Sequence, residues 1–301
     1  MNVSAPFLYS SGKRTDLVAA APADNNLLTH EEISDDELAE IGSILSMWRS
    51  INIAAYKDKY MKRRVAIRMR STRCRDAGQY CNLLRQSPQE LDLLQKALTI
   101  HVSQFYRNPS MFDKLRDEVF PGLFQQSRTN GSGTLRLWCL GCAGGEEPYS
   151  LAILLREYFS KELRTVQTVI NATDIDAATL RSAQQAEYTA ERLKDVPTEH
   201  KDRYFRQHGH LFRLVPEIRE MVNFLQSDIT HTSGHIPSDL VVCRNTLIYF
   251  TRPDQGKILH GVADILPEGG ILVLGKSETL VGDVRRRFEA VCPVERIYRK
   301  R

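Results

Sequence analysis

Residues 137–150, LWCLGCAGGEEPYS, join a predicted strand to a predicted helix through three glycines. The apolar run TLRLWCLG before them indicates a buried strand, and EPYSLAILLREYFSK after them has the pattern of a helix. Cys139 and Cys142 have the spacing of a redox dithiol. The glycines and the two glutamates are instead typical of a loop that turns a strand into a helix around a nucleotide. These two interpretations require different chemistry.

The redox interpretation is the weaker of the two. A catalytic Cys-x-x-Cys motif lies at a helix N-terminus, where the helix favours the thiolate. Here Glu146 and Glu147 stand at the start of the helix, and their negative charge opposes thiolate formation. A zinc site needs two further ligands, and no second Cys/His pair of suitable spacing is found. We therefore interpret both cysteines as small turn residues and expect no bound metal.

The glycine loop favours a cofactor without phosphate. No Gly-Lys-Ser/Thr sequence follows the glycines, which excludes a P-loop, and two carboxylates at the helix start would repel a pyrophosphate. S-adenosylmethionine carries a sulfonium, an ammonium and a ribose, and it fits such a loop. Gly141 lets the backbone approach a ligand closely, and Asp174 ends the second predicted strand, where it can accept both ribose hydroxyls.

The bulk composition is that of a globular protein. The chain has 301 residues, of which 42% are hydrophobic and 26% charged. No apolar run approaches the ~18 residues that span a bilayer, and the N-terminus lacks the pattern of a secretion signal. We therefore expect a cytoplasmic protein whose six cysteines stay reduced and which does not insert into a membrane. A net charge of +4 does not by itself indicate nucleic-acid binding.

The pattern along the chain predicts two folded regions. Residues 1–26 are small, polar and aperiodic, which predicts a flexible leader. Residues 27–98 have helical periodicity, with Ser87 and Pro88 marking one helix start, and predict a small all-α domain. From about residue 134 strands alternate with helices, which predicts an α/β fold with a parallel, doubly wound sheet and a closing antiparallel hairpin. Short β-like runs at about 200–225 predict a small inserted β-subdomain.

Four blocks of sequence resemble, in the same order, the signature blocks of the chemotaxis receptor glutamate O-methyltransferases, the CheR family. They are GGEEPYSLAILL, ATDIDAATLRSAQQAEY, DLVVCRNTLIYF and LGKSETL. The segment ALTIHVSQFYRNPSMFDKL also resembles the family's linker. The resemblance implies a Rossmann-like class I methyltransferase domain over residues 117–301, a receptor-docking helical domain over 27–98, and a linker over 99–116 that closes over the cofactor.

The resemblance implies that S-adenosylmethionine methylates glutamate side chains of chemoreceptors, leaving S-adenosylhomocysteine. An acceptor glutamate with a pKa near ~4.3 is already ionised, so no general base is required. Carried over by position, the catalytic residues are Arg107, which would orient the acceptor carboxylate, and Tyr249, near the transferred methyl. The cofactor-binding residues carried over in the same way are His101, Ser103, Arg107, Gly141, Glu147, Asp174, Asp228, Ile229, Asn245 and Thr246.

The sequence departs from the family pattern in the linker. Ile100 and His101 replace Thr-Asn, and a histidine at this position predicts altered cofactor affinity or a pH response near neutrality. Asp228 replaces an amide but can still accept a hydrogen bond from an adenine amino group. The altered linker keeps open a second interpretation, in which the chain is a cofactor-binding regulatory module. A third interpretation is a methyltransferase that acts on a substrate other than a chemoreceptor.

Residues 57–75 form a strongly basic segment, with nine lysines or arginines against one aspartate. Lys57, Arg64, Arg68 and Arg75 recur at intervals of seven, four and seven, close to one helical face. A solvated surface is the ordinary interpretation of such a run, and no groove-reading motif suggests nucleic acid. Together with the resemblance, the run predicts docking on the acidic coiled-coil region of a receptor. We expect a monomer, and the short segment YFRQHGHLFRLV predicts that no receptor C-terminal peptide is needed as a tether.

Overall fold

A computed structural model describes residues 33–49, 51–99, 103–231 and 235–301. The predicted leader at residues 1–26 and the linker residues Ile100 and His101 lie outside these ranges. Within them, a helical region precedes a mixed α/β region. No helix in the described ranges is long and apolar enough to cross a membrane.

The helical region contains four α-helices: α1 (Asp35–Arg49), α2 (Asp58–Thr72), α3 (Ala77–Gln86) and α4 (Pro88–Leu98). Ser87 caps α4 as predicted, because its hydroxyl accepts a hydrogen bond from the Glu90 amide at 3.2 Å. The buried faces of the four helices form a separate hydrophobic core. Its members include Ile41, Leu45, Met61, Val65, Tyr80, Leu84 and Leu94.

Two further helices, α5 (Pro109–Lys114) and α6 (Phe120–Thr129), lead into the α/β region and are joined by a π-helical turn. The strands in chain order are β1 (Thr134–Leu140), β2 (Gln167–Asp174), β3 (Glu187–Tyr188), β4 (Phe205–His208), β5 (Leu211–Leu214), β6 (Val222–Gln226), β7 (Leu240–Cys243), β8 (Ile271–Leu274), β9 (Phe288–Cys292) and β10 (Ile297–Lys300). The remaining helices are α7 (Glu146–Tyr158), α8 (Ala177–Gln185), α9 (Thr198–Tyr204), α10 (Pro216–Arg219) and α11 (Arg252–Ile265).

Seven strands form the main sheet in the order β6-β2-β1-β7-β8-β10-β9. The first five are parallel, whereas β10 runs antiparallel to both β8 and β9. The predicted doubly wound sheet and closing hairpin are therefore confirmed. Strands β7 and β8, with the sequences LVVC and ILVL, are buried at every position. Such continuous burial is expected of parallel strands that helices cover on both faces.

The two faces of the sheet have different cores. Leu137 and Cys139 of β1 belong to one core, together with the apolar residues of α7. Trp138 and Leu140 belong to the other, together with those of α11. This division follows from the alternation of side chains along a strand. The strand β1 therefore ends with its backbone held between two packed layers, which fixes the position of the glycine loop that follows.

The inserted β-subdomain differs from its predicted bounds of about 200–225. It is a three-stranded antiparallel sheet in the order β3-β5-β4, and it begins at Glu187. Residues Val222–Gln226 do not belong to it, because β6 pairs in parallel with β2 at the edge of the main sheet. A short β-like run does not reveal which sheet it joins, since the partner strand is distant in sequence. This is why the prediction placed β6 wrongly.

Candidate functional site

A cleft of about 1180 Å³, its open mouth included, lies beyond the carboxyl ends of the parallel strands. This is where ligands bind in open α/β sheets. All predicted cofactor-binding and catalytic residues that fall in the described ranges line this one cleft. They are Ser103, Arg107, Gly141, Glu147, Asp174, Asp228, Ile229, Asn245, Thr246 and Tyr249. His101 lies outside the described residues.

The glycine loop shapes one wall of the cleft. Gly141 has a φ of +64°, and a Cβ placed on it would lie 2.6 Å from the hydroxyl oxygen of Thr246. The turn therefore requires glycine, and it brings the end of β1 against the segment after β7. Gly145, with a φ of +85°, is the N-cap residue that precedes the helix α7.

Asp174 is held rigidly at the end of β2. Its Oδ2 accepts a hydrogen bond from the Ala143 amide at 3.0 Å, and its Oδ1 accepts one from the Asp176 amide at 3.0 Å. A carboxylate oxygen can accept more than one hydrogen bond, so both oxygens retain capacity for ligand hydroxyls. The carboxylate is thus oriented by the backbone of the loop and strand before any ligand binds.

Glu147 pairs with a buried arginine, Arg244, that the sequence pattern did not predict as a site residue. Its Oε2 accepts a hydrogen bond from Arg244 Nη1 at 2.8 Å, and Nη2 of the same arginine donates to the Arg107 carbonyl and to Asn108 Oδ1, each at 2.7 Å. Burial raises the pKa of Glu147, and the positive charge of Arg244 acts in the opposite direction. The only sequence signal for Arg244 was its place beside Asn245 in the block DLVVCRNTLIYF.

Glu278 is a second missed residue, and it organises the segment after β7. Its carboxylate accepts hydrogen bonds from the amides of Asn245 and Thr246 at 2.9 Å and Gly275 at 2.7 Å. Burial raises the pKa of Glu278, and the backbone donors oppose that rise. Asn245 adopts a left-handed φ of +57°, which asparagine tolerates better than most residues. Glu278 therefore fixes the turn from which Asn245 and Thr246 reach the cleft.

The mouth of the cleft is aromatic and basic. The rings of Tyr249 and Tyr60 have centroids 5.0 Å apart, and the Arg64 guanidinium carbon lies 5.4 Å from the Tyr60 ring centroid. Burial raises the pKa of Tyr249, against the positive charges of Arg107 and Arg64. Lys57, just before α2, donates its amide hydrogen to the Tyr249 carbonyl at 2.9 Å. The start of the helix α2 therefore borders the mouth.

The structure corrects the predicted docking face of Lys57, Arg64, Arg68 and Arg75. The helix α2 ends at Thr72, so Arg75 lies beyond its C-terminus, and Lys57 only caps its start. Lys57 Nζ also donates to the Ile248 carbonyl at 2.6 Å. The four residues therefore do not share one helical face.

Arg68 has a structural role. It forms two hydrogen bonds with Glu90, from Nε at 3.0 Å and from Nη2 at 2.6 Å, and Tyr80 donates to the same carboxylate at 2.8 Å. The side chains of Arg68 and Glu90 are only 18% and 6% exposed. Arg68 thus joins α2 to α4, because it borders the buried stripe of the helix and not its solvent face.

Cys139 and Cys142 do not form a reactive dithiol. Both are buried, and burial raises the pKa of each thiol well above its ordinary value. A protonated thiol is a poor nucleophile, so these residues serve in packing, Cys139 from β1 and Cys142 from the glycine loop. Across the described ranges, no group of three or more histidine, cysteine or acidic side chains is arranged to hold a metal ion.

Comparison with protein families identifies the family of the chain. Residues 101–295 match the CheR methyltransferase, SAM binding domain, and residues 36–99 match the CheR methyltransferase, all-alpha domain. The chain belongs to the CheR methyltransferase family. It is therefore an S-adenosylmethionine-dependent methyltransferase, and the expected methyltransferase fold with an all-α N-terminal domain is confirmed.

Individual relatives of this CheR chain extend the comparison. A chemotaxis protein methyltransferase of Listeria innocua is 32% identical over 77% of this chain and 85% of its own length. A putative methyltransferase, Cher3, of Pseudomonas putida is 30% identical over 91% of this chain and 100% of its own length. An uncharacterized 104.1 kDa protein of Rhodobacter capsulatus is 33% identical over 87% of this chain, which spans only 27% of that larger protein.

Proposed function

We propose that this chain transfers the methyl group of S-adenosylmethionine to glutamate side chains of chemoreceptors, forming γ-methyl esters. The observation that carries the proposal is that Arg107 and Tyr249 line the same cleft, and that the Tyr249 ring packs against Tyr60 of the basic helix α2. A cationic rim suits a carboxylate acceptor on an acidic helix bundle. Relatives from Listeria innocua and Borreliella burgdorferi, both chemotaxis protein methyltransferases, support the proposal.

The polar groups of the cleft suit this cofactor. S-adenosylmethionine supplies a methyl group on a positively charged sulfur. Glu147 would receive the ammonium group of the methionine moiety, and Asp174 the ribose hydroxyls. At the N-terminus of α7, Glu147 lines the cleft with a carboxylate, which disfavours a phosphate and favours a cation. The donor set therefore matches a ligand with positive charge and hydroxyls.

The remaining assignments concern the adenine side of the cleft, the wall after β7 and the linker side. Asp228 Oδ1 accepts hydrogen bonds from the Thr230 amide at 2.8 Å and hydroxyl at 2.7 Å. Asp228 Oδ2 lies 3.5 Å from His231 Nδ1 and would also accept from the adenine amino group, with Ile229 packing against the ring. Asn245 and Thr246 would line the opposite wall, and Ser103 the linker side.

Methyl transfer to a carboxylate places few demands on the protein. The acceptor is ionised at neutral pH, so the residues must orient it, bring it close and exclude water. Arg107 would bind both carboxylate oxygens through its planar guanidinium. Tyr249 keeps its phenolic proton at neutral pH, because burial raises its pKa, and can donate a hydrogen bond to the acceptor. No general base is needed.

The solvent face of α2 would dock the receptor. Lys59, Arg63 and Arg70 are exposed at helical spacing, and Arg73 and Arg75 extend the charge beyond the helix. Exposed charges of this kind attract an acidic bundle at long range, and salt screens them. We assign docking to this face, with Arg64 nearer the mouth.

The β-subdomain supports independence from a receptor tether. Strands β4 and β5 are joined by only two residues, Gly209 and His210, in a tight hairpin. Such a short connection offers no extended loop with which to hold a peptide. We expect no heat of binding when a receptor C-terminal pentapeptide is titrated into the protein, and micromolar binding would overturn this part of the proposal.

The experiment for the whole proposal uses methyl-labelled S-adenosylmethionine and receptor cytoplasmic fragments. Transfer to receptor glutamates releases labelled methanol on mild alkaline treatment, which distinguishes esters from methylated nitrogen. We expect base-labile label on the receptor and a rate that falls with added salt. Cofactor binding without transfer would indicate a regulatory module. Label on other proteins, with none on receptors, would indicate a different substrate.

A further inference from the structure

The two glutamates at the start of α7 pair with different arginines. Glu147 pairs with Arg244, as described above, whereas Glu146 Oε1 accepts a hydrogen bond from Arg192 Nη1 at 3.0 Å. The Glu146 side chain is 2% exposed and that of Arg192 is 36% exposed. Arg192 lies in the short helical turn Ala190–Leu193 that follows β3. The first glutamate thus connects the glycine loop to the segment at the edge of the β-subdomain.

Arg192 also holds the linker. Its Nη1 donates a hydrogen bond to the Ser103 carbonyl, and its own carbonyl accepts one from the Phe105 amide at 3.0 Å. Nearby, Gln104 Nε2 donates to Asp195 Oδ2. Three consecutive linker residues, 103–105, are therefore attached to Arg192 and Asp195, which follow β3.

The aromatic residues of the same region strengthen this attachment. Phe105 is fully buried, and its ring meets the rings of Tyr188 and Phe205 edge-on, with centroids 4.8 and 5.1 Å away. Tyr188 in addition donates its hydroxyl hydrogen to the Gly144 carbonyl at 2.7 Å. Residues 188–195 therefore contact both the glycine loop and the linker. These are the two segments between which the cofactor cleft opens.

Gly144 makes room for the charged part of this arrangement. A Cβ on Gly144 would lie 2.9 Å from Glu146 Oε2, so the carboxylate is folded back over the glycine loop. A buried carboxylate needs a charged partner, and Arg192 supplies it. The glycine, the glutamate and the arginine thus form one unit that links the loop to Ser103.

We propose that Arg192 is a positioning residue for the cofactor, which holds the linker at Ser103 against the glycine loop through Glu146 and thereby sets the affinity for S-adenosylmethionine. Ser103 and Ala143 line the cleft, whereas Arg192 and Glu146 are not part of its described lining. Arg192 therefore acts through the linker and not by contact. The proposal rests on the assignment of this cleft to the cofactor, and not on the identity of the methyl acceptor.

The physical basis is preorganisation. A linker that is ordered before binding loses little conformational entropy when the ligand arrives. Without Arg192, the Ser103 side of the cleft would have to become ordered during binding. Loss of this charge-assisted attachment is expected to raise the Kd for S-adenosylhomocysteine on the order of tenfold.

The test compares Arg192→Gln, Arg192→Lys and Glu146→Gln by calorimetric titration with S-adenosylhomocysteine. We expect weaker binding in both glutamine variants, partial recovery with lysine, and a double variant no worse than either single one, because the two residues act as a unit. The KM for S-adenosylmethionine should rise with the Kd, while kcat at saturating cofactor stays near the wild-type value. These kinetic parameters are measured with the methyl acceptor that the wild-type protein uses.

Arg203→Gln is the matched control. It removes another arginine–glutamate pair, Arg203 of α9 with Glu157 of α7, and Arg203 is 60% exposed. Its Kd should equal that of the wild type. An unchanged Kd in a folded Arg192→Gln protein would overturn the proposal, and so would a lower melting temperature with an unchanged Kd. If Arg192→Gln does not fold, the near-isosteric Glu146→Gln replaces it, and an unchanged Kd in that variant would overturn the proposal.

A separate variant tests the underlying cofactor assignment. Asp174→Asn should weaken S-adenosylhomocysteine binding because it removes the fixed carboxylate from the cleft. If Asp174→Asn binds like the wild type, the cofactor lies elsewhere, and the assignment of the cleft fails. If Asp174→Asn binds weakly and Arg192→Gln binds normally, only the role of Arg192 fails.

Discussion

Arg244 lies with one terminal nitrogen 2.8 Å from Glu147 Oε2 and the other 2.7 Å from the carbonyl oxygen of Arg107. One buried guanidinium therefore connects the glutamate at the start of α7 to the linker residue that would orient the methyl acceptor. Because the Arg244 side chain is 2% exposed, these partners offset the cost of burying its positive charge. The geometry of the cofactor end and of the acceptor end of the cleft is thus coupled through one side chain.

Arg244→Met should reduce both stability and cofactor binding. It leaves the Glu147 carboxylate buried without its charged partner, which typically costs about 3 kcal/mol of unfolding free energy. Urea unfolding measures this loss, and calorimetry should show much weaker binding of S-adenosylhomocysteine. Arg244→Lys keeps the charge but loses the planar guanidinium with its two donor nitrogens. Its stability and cofactor affinity should therefore lie between those of the wild type and Arg244→Met. Wild-type stability in Arg244→Met would show that the pair contributes little.

Arg68→Ala should reduce stability, whereas Arg63→Ala should weaken docking of the receptor. Arg68→Ala leaves Glu90 buried without its charged partner and should lower the unfolding free energy by about 3 kcal/mol. Arg63→Ala removes an exposed charge and should change stability by less than about 0.5 kcal/mol, while it raises the KM for the receptor. Urea unfolding and receptor methylation at two salt concentrations distinguish them. A receptor KM unchanged by Arg63→Ala would argue against docking on this face.

Arg107→Ala should reduce the rate of methyl transfer roughly a hundredfold, because the acceptor carboxylate would lose its orienting partner. Single-turnover assays with bound cofactor measure the transfer step directly. Arg107→Lys retains the charge without the bidentate geometry and should recover only part of the rate. Full activity with unchanged cofactor binding would remove Arg107 from the mechanism.

Glu278→Gln should change how stability depends on pH. Burial raises the folded-state pKa of Glu278 above its usual value of 4.5. A carboxyl with a raised folded pKa contributes stability that is fully present below pH 4.5 and is lost as the pH rises through the folded pKa. Urea unfolding between pH 4 and pH 8, roughly, should therefore show a smaller loss with rising pH in Glu278→Gln than in the wild type. Parallel curves for the two proteins would contradict this assignment.

The sequence was most informative where a local pattern determines a local structure. Continuous apolar runs predicted β1, β7 and β8, because a strand covered on both faces needs them. The position of Asp174 at the end of a predicted strand indicated a carboxylate at the cleft, because the carboxyl ends of parallel strands meet at one edge of the sheet.

The sequence was least informative where contacts join distant segments. The partners of Arg244, Glu278 and Arg192 are distant in sequence or belong to different elements, so no spacing reveals them. The predicted docking face of α2 was wrong for a related reason. The basic residues occur nearly all around the helix, and only the packing of Met61 and Val65 against the other helices determines which side is buried.

The central claim is that Arg107 presents a receptor carboxylate at this cleft for methyl transfer. The most direct measurement is the base-labile label that wild-type and Arg107→Ala proteins transfer from S-adenosylmethionine to receptor cytoplasmic fragments. We predict labelled receptor with the wild type and roughly a hundredfold slower labelling with the variant, both measured at saturating S-adenosylmethionine. The account would be contradicted if the wild type left receptors unlabelled, or if both proteins labelled them at the same rate.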